Sequence, residues 1–300
     1  MKVLVTGASS HLARALLPLL CAQERITRVT GVDIAAPHFT HAKFHAVRCD
    51  IRDARLASLS AGHDALVHLA FVVLRGRMRE TEMAGINVAS SLALIRAARD
   101  AGVARLIHLS SAAVYGEGAG VTEEVPYAPL RGFWYGRHKA QLERLLEAAV
   151  PECVRLRPHV ILGPHAQPLL RTLLNLPLYV KLPPQYAQAQ LQCVHENDVA
   201  RAVLLALERD VRGPFNLAAR DTFSYREFIQ RRHRHALGLP LGVARAGLHT
   251  AWRLTGWGGE PAWIDGLTRT LTLDCSRAAR ELDWHCRHDS AATLADATTM

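Results

Sequence analysis

Short apolar runs rich in β-branched residues recur through the first half of the chain: Val3 to Val5, Val29 to Val32, Ala65 to Leu69, Leu106 to Leu109 and Val154 to Leu156. Their length and composition predict buried parallel strands. Between them, Leu12 to Leu20, Ile86 to Ala98 and Ala140 to Ala149 space their apolar positions by three and four, as helices with one buried face do. Strands and helices alternating in this way predict an α/β fold, a doubly wound parallel sheet with right-handed crossovers and helices on both faces. Ligands then gather at the carboxyl ends of the strands.

After Pro158 the pattern loosens into a stretch holding Pro164, Pro168, Pro177, Pro183 and Pro184. It recovers a strand near Leu191 to Val194 and a helix from Asp198, so the chain leaves the core and returns to it. From Thr222 helical patterns dominate. The expected organisation is a Rossmann domain over residues 1–160, re-entered over 191–220, with 161–190 and 221–300 forming a smaller, mostly helical, substrate-facing region. Trp252, Trp257 and Trp263 fall close together around a glycine-rich break at 256–259, and packing between short helices is a simpler role for them than a binding platform.

Composition narrows the partners. Apolar residues make up 49% of the 300 and charged residues 21%, which predicts an ordered globular chain. The net charge of +9 raises nucleic-acid binding as a question, but the positive charge is almost all arginine and is scattered. The densest runs, 75–79 and 231–234, are short and lack interleaved aromatics, so no nucleic-acid partner is expected. Six cysteines form no CxxC pair and no ligand spacing with the sixteen histidines, so no metal is expected. No apolar run reaches the length of a membrane span, and the first residues lack the layout of a signal peptide. A cytoplasmic protein without a membrane partner is the expectation.

Three motifs carry chemistry. Residues 6–13, TGASSHLA, follow the first strand and open the first helix, where backbone N–H groups and a helix N-terminus can receive a pyrophosphate. Tyr135 and Lys139 stand four apart in WYGRHKAQLE, on one helix face, where an ammonium can favour the phenolate of its neighbour. HLSSAAVYG, residues 108–116, closes the fifth strand. In this order the motifs resemble those of the extended short-chain dehydrogenase/reductase family, also called the NAD-dependent epimerase/dehydratase family. LRPHVILGP (156–164), QCVHENDVARA (192–202) and DCSRAARELDW (274–284) extend the resemblance over nearly the whole chain.

The resemblance implies a site. Gly7 takes the first glycine of the family's TGxxGxxG turn; Ser10 and Ala13 replace the second and third, with Ser9, His11 and Leu12 completing the loop. Ser10 sets a side chain where the family pattern leaves room for phosphate. Asp33, after the second strand, matches the carboxylate that accepts the adenosine ribose hydroxyls and favours NAD over NADP. Asp50 and Ile51 match the adenine contact, Leu69 and Ala70 the small residues after the fourth strand, and Pro158, His159 and Val160 the nicotinamide neighbourhood. His68, by contrast, reads as a buried strand residue. Tyr135 is implied as acid/base, Lys139 as the group that tunes it and holds the cofactor ribose, and Ser111 as the donor that orients the substrate. Ser110 is expected to pack or to bond to backbone.

Ala112 and Ala113 stand where dehydratases of the family carry an Asp-Glu pair, which disfavours dehydration. The stretch Gln190, Leu191, Gln192 lacks the arginine that nucleotide-sugar enzymes use for pyrophosphate, and Phe71 to Leu74 offer an apolar wall. The expected activity is NAD-dependent hydride transfer at a secondary alcohol or ketone of a small molecule, as an oxidoreductase or epimerase acting on a sugar or sugar nucleotide. A reductase or dehydrogenase of a less charged steroid-like, terpenoid or flavonoid-like substrate, and a non-catalytic dinucleotide-binding scaffold, are the alternatives. The helices around 86–98 and 135–149 correspond to those that pair in dimeric relatives, and a homodimer is expected.

Overall fold

All five strands read from the apolar runs form, and two more join them. Lys2–Thr6 (β1), Arg28–Asp33 (β2), Phe44–Arg48 (β3), Ala65–His68 (β4), Arg105–Leu109 (β5), Val154–Pro158 (β6) and Gly213–Leu217 (β7) make one parallel sheet in the order β7-β6-β5-β4-β1-β2-β3. The computed structural model describes every residue except 75, 77, 176–177, 187, 233–236, 257–261 and 299–300, and every remaining side chain except those of 173, 178, 231 and 232. Trp257, most of the 256–259 break, Arg75, Arg77 and much of the 231–234 run lie outside the described residues.

Alternate residues of a strand face opposite sides of the sheet, and two cores follow. Val3 and Val5 face α1 (His11–Cys21) and α4 (Glu196–Glu208), packing with Leu16, Leu20, Val199 and Val203. Leu4 and Leu66 face the other way, onto α2 (80–100) and α3 (Trp134–Ala149), packing with Leu94, Ile95, Leu142 and Leu146. Within α2 the α-helices Glu80–Ala84 and Ser91–Asp100 are joined by a π-helical stretch, Gly85–Ser90. The strand order reverses at β1, which pairs with both β2 and β4, so a crevice opens at the carboxyl ends of β1 and β4.

The C-terminal part contributes to the frame as well as to helices. Leu271–Leu273 pairs in parallel with Gly118–Val121, just after β5. The Trp284 side chain is buried and its Nε1 donates to the Asp198 carbonyl at 2.8 Å. Among the described residues no helix is long and apolar enough to cross a membrane, and no group of three or more His, Cys, Asp or Glu is placed to hold a metal.

Candidate active site

The turn after β1 depends on a glycine. Gly7 has φ +75, and a Cβ there would stand 2.5 Å from the Ala70 nitrogen and 2.8 Å from the Leu69 carbonyl carbon, far inside contact distance. The backbone that follows β4, at Leu69 and Ala70, is thus seated directly against the turn. Gly7→Ala is expected to lower stability by about 1–3 kcal/mol and to weaken NAD binding by about tenfold or more, read by thermal melting and calorimetric titration.

Ser10 resolves differently from its sequence reading. It is the N-cap of α1, with extended backbone (φ −68, ψ 161), and its Oγ accepts from the Ala13 N–H at 3.4 Å. Its hydroxyl is therefore drawn back onto the helix end. No acidic residue stands in the first turn of α1, so the positive end of the helix dipole and the first-turn N–H groups at His11 and Leu12 are free of a competing carboxylate. Asp33 fastens this loop: its Oδ2 accepts from the Ser9 N–H at 2.9 Å and its Oδ1 from the Ala35 N–H at 3.2 Å. Beside it lies a cavity of about 210 Å³ lined by Ala8, Ser9, Arg14, His38, Phe39 and His165 among others.

A dinucleotide fits this cradle: a glycine that only Gly can fill, an unopposed helix N-terminus, and a carboxylate at the end of β2. Other implied contacts are partly occupied. Asp50 is gripped by Arg52 at 2.7 and 3.0 Å, leaving Ile51 beside it half-buried. Past Pro158, the His159 ring turns away to bond the Leu271 carbonyl through Nε2 at 3.1 Å and accept from the Val160 N–H through Nδ1 at 2.8 Å. Val160 is exposed. His68 is buried, its ring held by Thr6 and Ser91 hydroxyls at 2.7 and 2.8 Å.

At the carboxyl end of β5 the structure brings Ser111, Tyr135 and Lys139 together. Gly136 is the local reason: a Cβ there would stand 2.9 Å from the Ala113 carbonyl oxygen, so α3 can rest on the 112–114 turn that Ser111 caps through its Oγ and the Ala113 N–H, 3.1 Å apart. The Ser111 hydroxyl lies on the Tyr135 side of this turn and favours the phenolate. Lys139 is fully buried, its Nζ donating to the Leu109 carbonyl and lying 3.5 Å above the centroid of the Phe71 ring.

The electrostatics depart from the sequence expectation. Burial pushes the Tyr135 phenol up to about 12, opposed by the Ser111 hydroxyl. The Lys139 Nζ is turned to the Leu109 carbonyl and stands 5.7 Å from the Tyr135 ring centroid. Burial also holds the Lys139 ammonium well below the ordinary lysine range, with Glu143 opposing.

Sequence reasoning missed much of the surroundings. Trp263, read as core filling, stacks on Tyr135 at 6.2 Å and meets Phe133 edge-on at 5.0 Å, while Phe71 meets Tyr135 edge-on at 5.6 Å. Ser110 donates to the Glu143 carboxylate instead of to backbone. The spacing of Glu143, four after Lys139 on the same face, was the available signal; for Phe133 and Trp263, 130 positions apart in sequence, there was none.

The class of protein thus defined is a Rossmann-type α/β fold with a glycine turn and a Ser111, Tyr135, Lys139 set at the carboxyl ends of its strands. Its membership is narrower: the model of the NAD dependent epimerase/dehydratase family matches residues 3–218, and the chain belongs to that family. An uncharacterised protein of Mycobacterium tuberculosis is 28% identical over 244 residues, covering 80% of this chain, which spans about a quarter (24%) of that relative's length. A 4-hydroxy-2-methyl-3-oxo-4-farnesyl-3,4-dihydroquinoline-1-oxide ketoreductase of Stigmatella aurantiaca is 28% identical over 316 residues, 95% of this chain and 92% of its own. Among solved structures, MoeE5 in complex with UDP-glucose and NAD superimposes with a TM-score of 0.78 at 22% identity, covering 99% of this chain and 97% of the other.

Proposed function

We propose that this protein reduces a ketone, or oxidises the corresponding secondary alcohol, on an apolar ring-bearing molecule, using NAD. The observation that carries this reading is the aromatic enclosure of Tyr135 by Phe71, Phe133 and Trp263, beside a stretch whose glutamines are already committed. Gln190 accepts from the Thr222 hydroxyl, and Gln192 spans the Ala219 carbonyl and the Leu273 N–H. The Stigmatella ketoreductase, named for a farnesylated quinoline oxide, is consistent with such a substrate. The second reading, epimerisation of a sugar nucleotide, draws on the family and on MoeE5 with its UDP-glucose. The juxtaposition of Ser111, Tyr135 and Lys139 weighs against a non-catalytic scaffold.

In this reading the 7–12 turn and the N-terminus of α1 hold the pyrophosphate, Asp33 the adenosine ribose, Asp50 and Ile51 the adenine, Leu69 and Ala70 the floor beneath, Lys139 the second ribose, and the Pro158–His159–Val160 backbone the nicotinamide. NAD in its reduced form, when held there, would supply the hydride for the carbonyl carbon. Ser111 orients the carbonyl oxygen by donating to it, and Tyr135 delivers its proton to that oxygen as negative charge develops. A phenol held near 12 is protonated at neutral pH and is still a far better acid than the alcohol it creates.

The pH dependence follows from that value. Ketone reduction is expected to be flat from about pH 6 to 9, where the phenol is fully protonated, whereas alcohol oxidation, which needs phenolate, rises about tenfold per pH unit over the same span. The assay offers a decalone or a steroid ketone, and separately UDP-glucose, with NADH monitored by absorbance. Consumption of NADH with the ring ketones alone supports the reading; epimerisation of UDP-glucose with no net change in NADH overturns it.

A further inference from the structure

Below the Tyr135–Lys139 face of α3, one helical turn beyond Lys139, lies a carboxylate with no access to solvent. Glu143 is 0% exposed, and burying an ion of this kind costs several kcal/mol unless partners satisfy it. Here they come from three elements. From β6, Arg157 holds both carboxylate oxygens, with its Nε at 2.9 and 3.1 Å and its Nη2 at 2.7 Å, and Arg155 Nε lies 3.4 Å away. From the end of β5, the Ser110 hydroxyl donates to Oε1. From the loop between β5 and α3, the Tyr127 hydroxyl, which donates to Glu147 and accepts from Arg157 Nη2 at 2.8 Å, lies 3.2 Å from Oε2.

Arg157 passes the connection on. Its Nη1 donates to the Tyr115 hydroxyl at 2.6 Å, and Tyr115 donates to Asn216 on β7 at 2.8 Å. The consequence at the site is geometric. Lys139 bonds the Leu109 carbonyl and Glu143 bonds the Ser110 hydroxyl, so two successive turns of α3 are tied to two successive residues of one strand end. The next residue on that strand end is Ser111.

We propose that Glu143 is a positioning residue for the Ser111, Tyr135 and Lys139 set: it fixes the strand end that carries Ser111 against α3 and supplies the countercharge for the Lys139 ammonium, in a proportion set by Arg157. The proposal rests on the roles given to those three residues above. The charged and titratable groups around Lys139 are Glu143 and Tyr135 on α3, His108 on β5 and His68 on β4, with Arg155 and Arg157 on β6 standing against Glu143. Burial keeps His68 and His108 neutral near pH 7, so the Glu143–arginine balance is what remains to act on the ammonium.

The test needs no substrate. The chain has four lysines, Lys2, Lys43, Lys139 and Lys181, so labelling the lysine side chains with carbon-13 at the ε position gives four signals, and Lys139→Met identifies the relevant one. Glu143→Gln is expected to lower the Lys139 titration midpoint by about one pH unit or more, and Arg157→Met to raise it, because each removes the opposite charge. A residue that served only the packing would shift both variants upward, toward the solvent-exposed value, as the surroundings loosened. A midpoint in Glu143→Gln that stays put or rises overturns the proposal.

Ser110→Ala serves if Glu143→Gln does not fold, since it cuts one tether and leaves every charge in place. The phenolate absorbance of Tyr135, taken as a difference against Tyr135→Phe, is then expected to titrate at higher pH as the Ser111 hydroxyl moves away; an unchanged midpoint counts against the proposal. Failure of the catalytic roles themselves has a separate signature, full turnover in Tyr135→Phe.

Discussion

Tyr135→Phe gives a protein that folds and binds NAD but turns over about a hundred to ten thousand times more slowly, the range that a positioned general acid contributes. The substitution removes one oxygen and keeps the ring, so the edge-on contact with Phe71 and the stack on Trp263 survive. The lost partner is the Ser111 hydroxyl, which retains its bond from the Ala113 N–H. Stability should therefore change by only about 1 kcal/mol. Since the hydroxyl acts on charge that develops during the reaction, kcat falls while KM stays within a few-fold. Steady-state kinetics with NADH, beside a thermal melt and a calorimetric NAD titration, read all three quantities. Turnover equal to that of the unmodified protein would mean that another group delivers the proton.

Acid is expected to destabilise the protein from about pH 6.5 downward, starting above the range where its carboxylates titrate. His68, His108 and His159 are buried, and burial pushes their imidazoles down, to about 3 for His68 and about 4 for His159. In the unfolded chain each titrates near 6.5, so below that pH the unfolded state binds more protons and gains on the folded one. The stabilisation is complete above about pH 6.5 and is lost as pH falls toward the folded values, at about 1.4 kcal/mol per histidine per pH unit. Three histidines together give about 4 kcal/mol per unit, enough to exhaust a stability of about 5–15 kcal/mol within a few units. Denaturant midpoints between pH 7 and 5 measure the slope, and His159→Gln should reduce it by about 1.4 kcal/mol per pH unit at most. A stability flat across that interval would mean that the three rings are protonated in the folded protein.

What the sequence made legible tracks the physical source of each signal. β1, β2, β4, β5 and β6 are covered on both faces or nearly so; β1 and β4 appear as short unbroken apolar runs, while β2, β5 and β6 are apolar runs broken by the buried Thr30, His108, Arg155 and Arg157. β3 and β7 are the edges of the sheet. Phe44–Arg48 is mostly half-buried or exposed, with two histidine- and alanine-bearing positions open to solvent, and Gly213–Leu217 opens with a glycine and a proline that only an edge tolerates. Neither carries the periodicity that marks a core strand. At the site, Tyr135, Lys139 and Ser111 were readable because their spacing along one helix and one strand end fixes their relation. Trp263 and Phe133 meet only through the tertiary fold, and the direction in which Lys139 points is decided by the Leu109 carbonyl and the Phe71 ring, neither of which is encoded in a local pattern. Ser10 departs from the family turn yet caps the helix, a role that its residue type foretold better than its place in the motif.

The pairing of Leu271–Leu273 with Gly118–Val121 sets a timetable for synthesis. The Asn216 amide donates to the carbonyls of Val121 and Asp274, and Tyr115 is held by Asn216, so the peptide that carries Ser111 acquires its last neighbours only when a stretch made about 150 residues later has left the ribosome. A nascent chain can complete the first six strands of the sheet, with Ser111, Tyr135 and Lys139 already made, while the 118–121 strand beside them still waits for the partner that closes it.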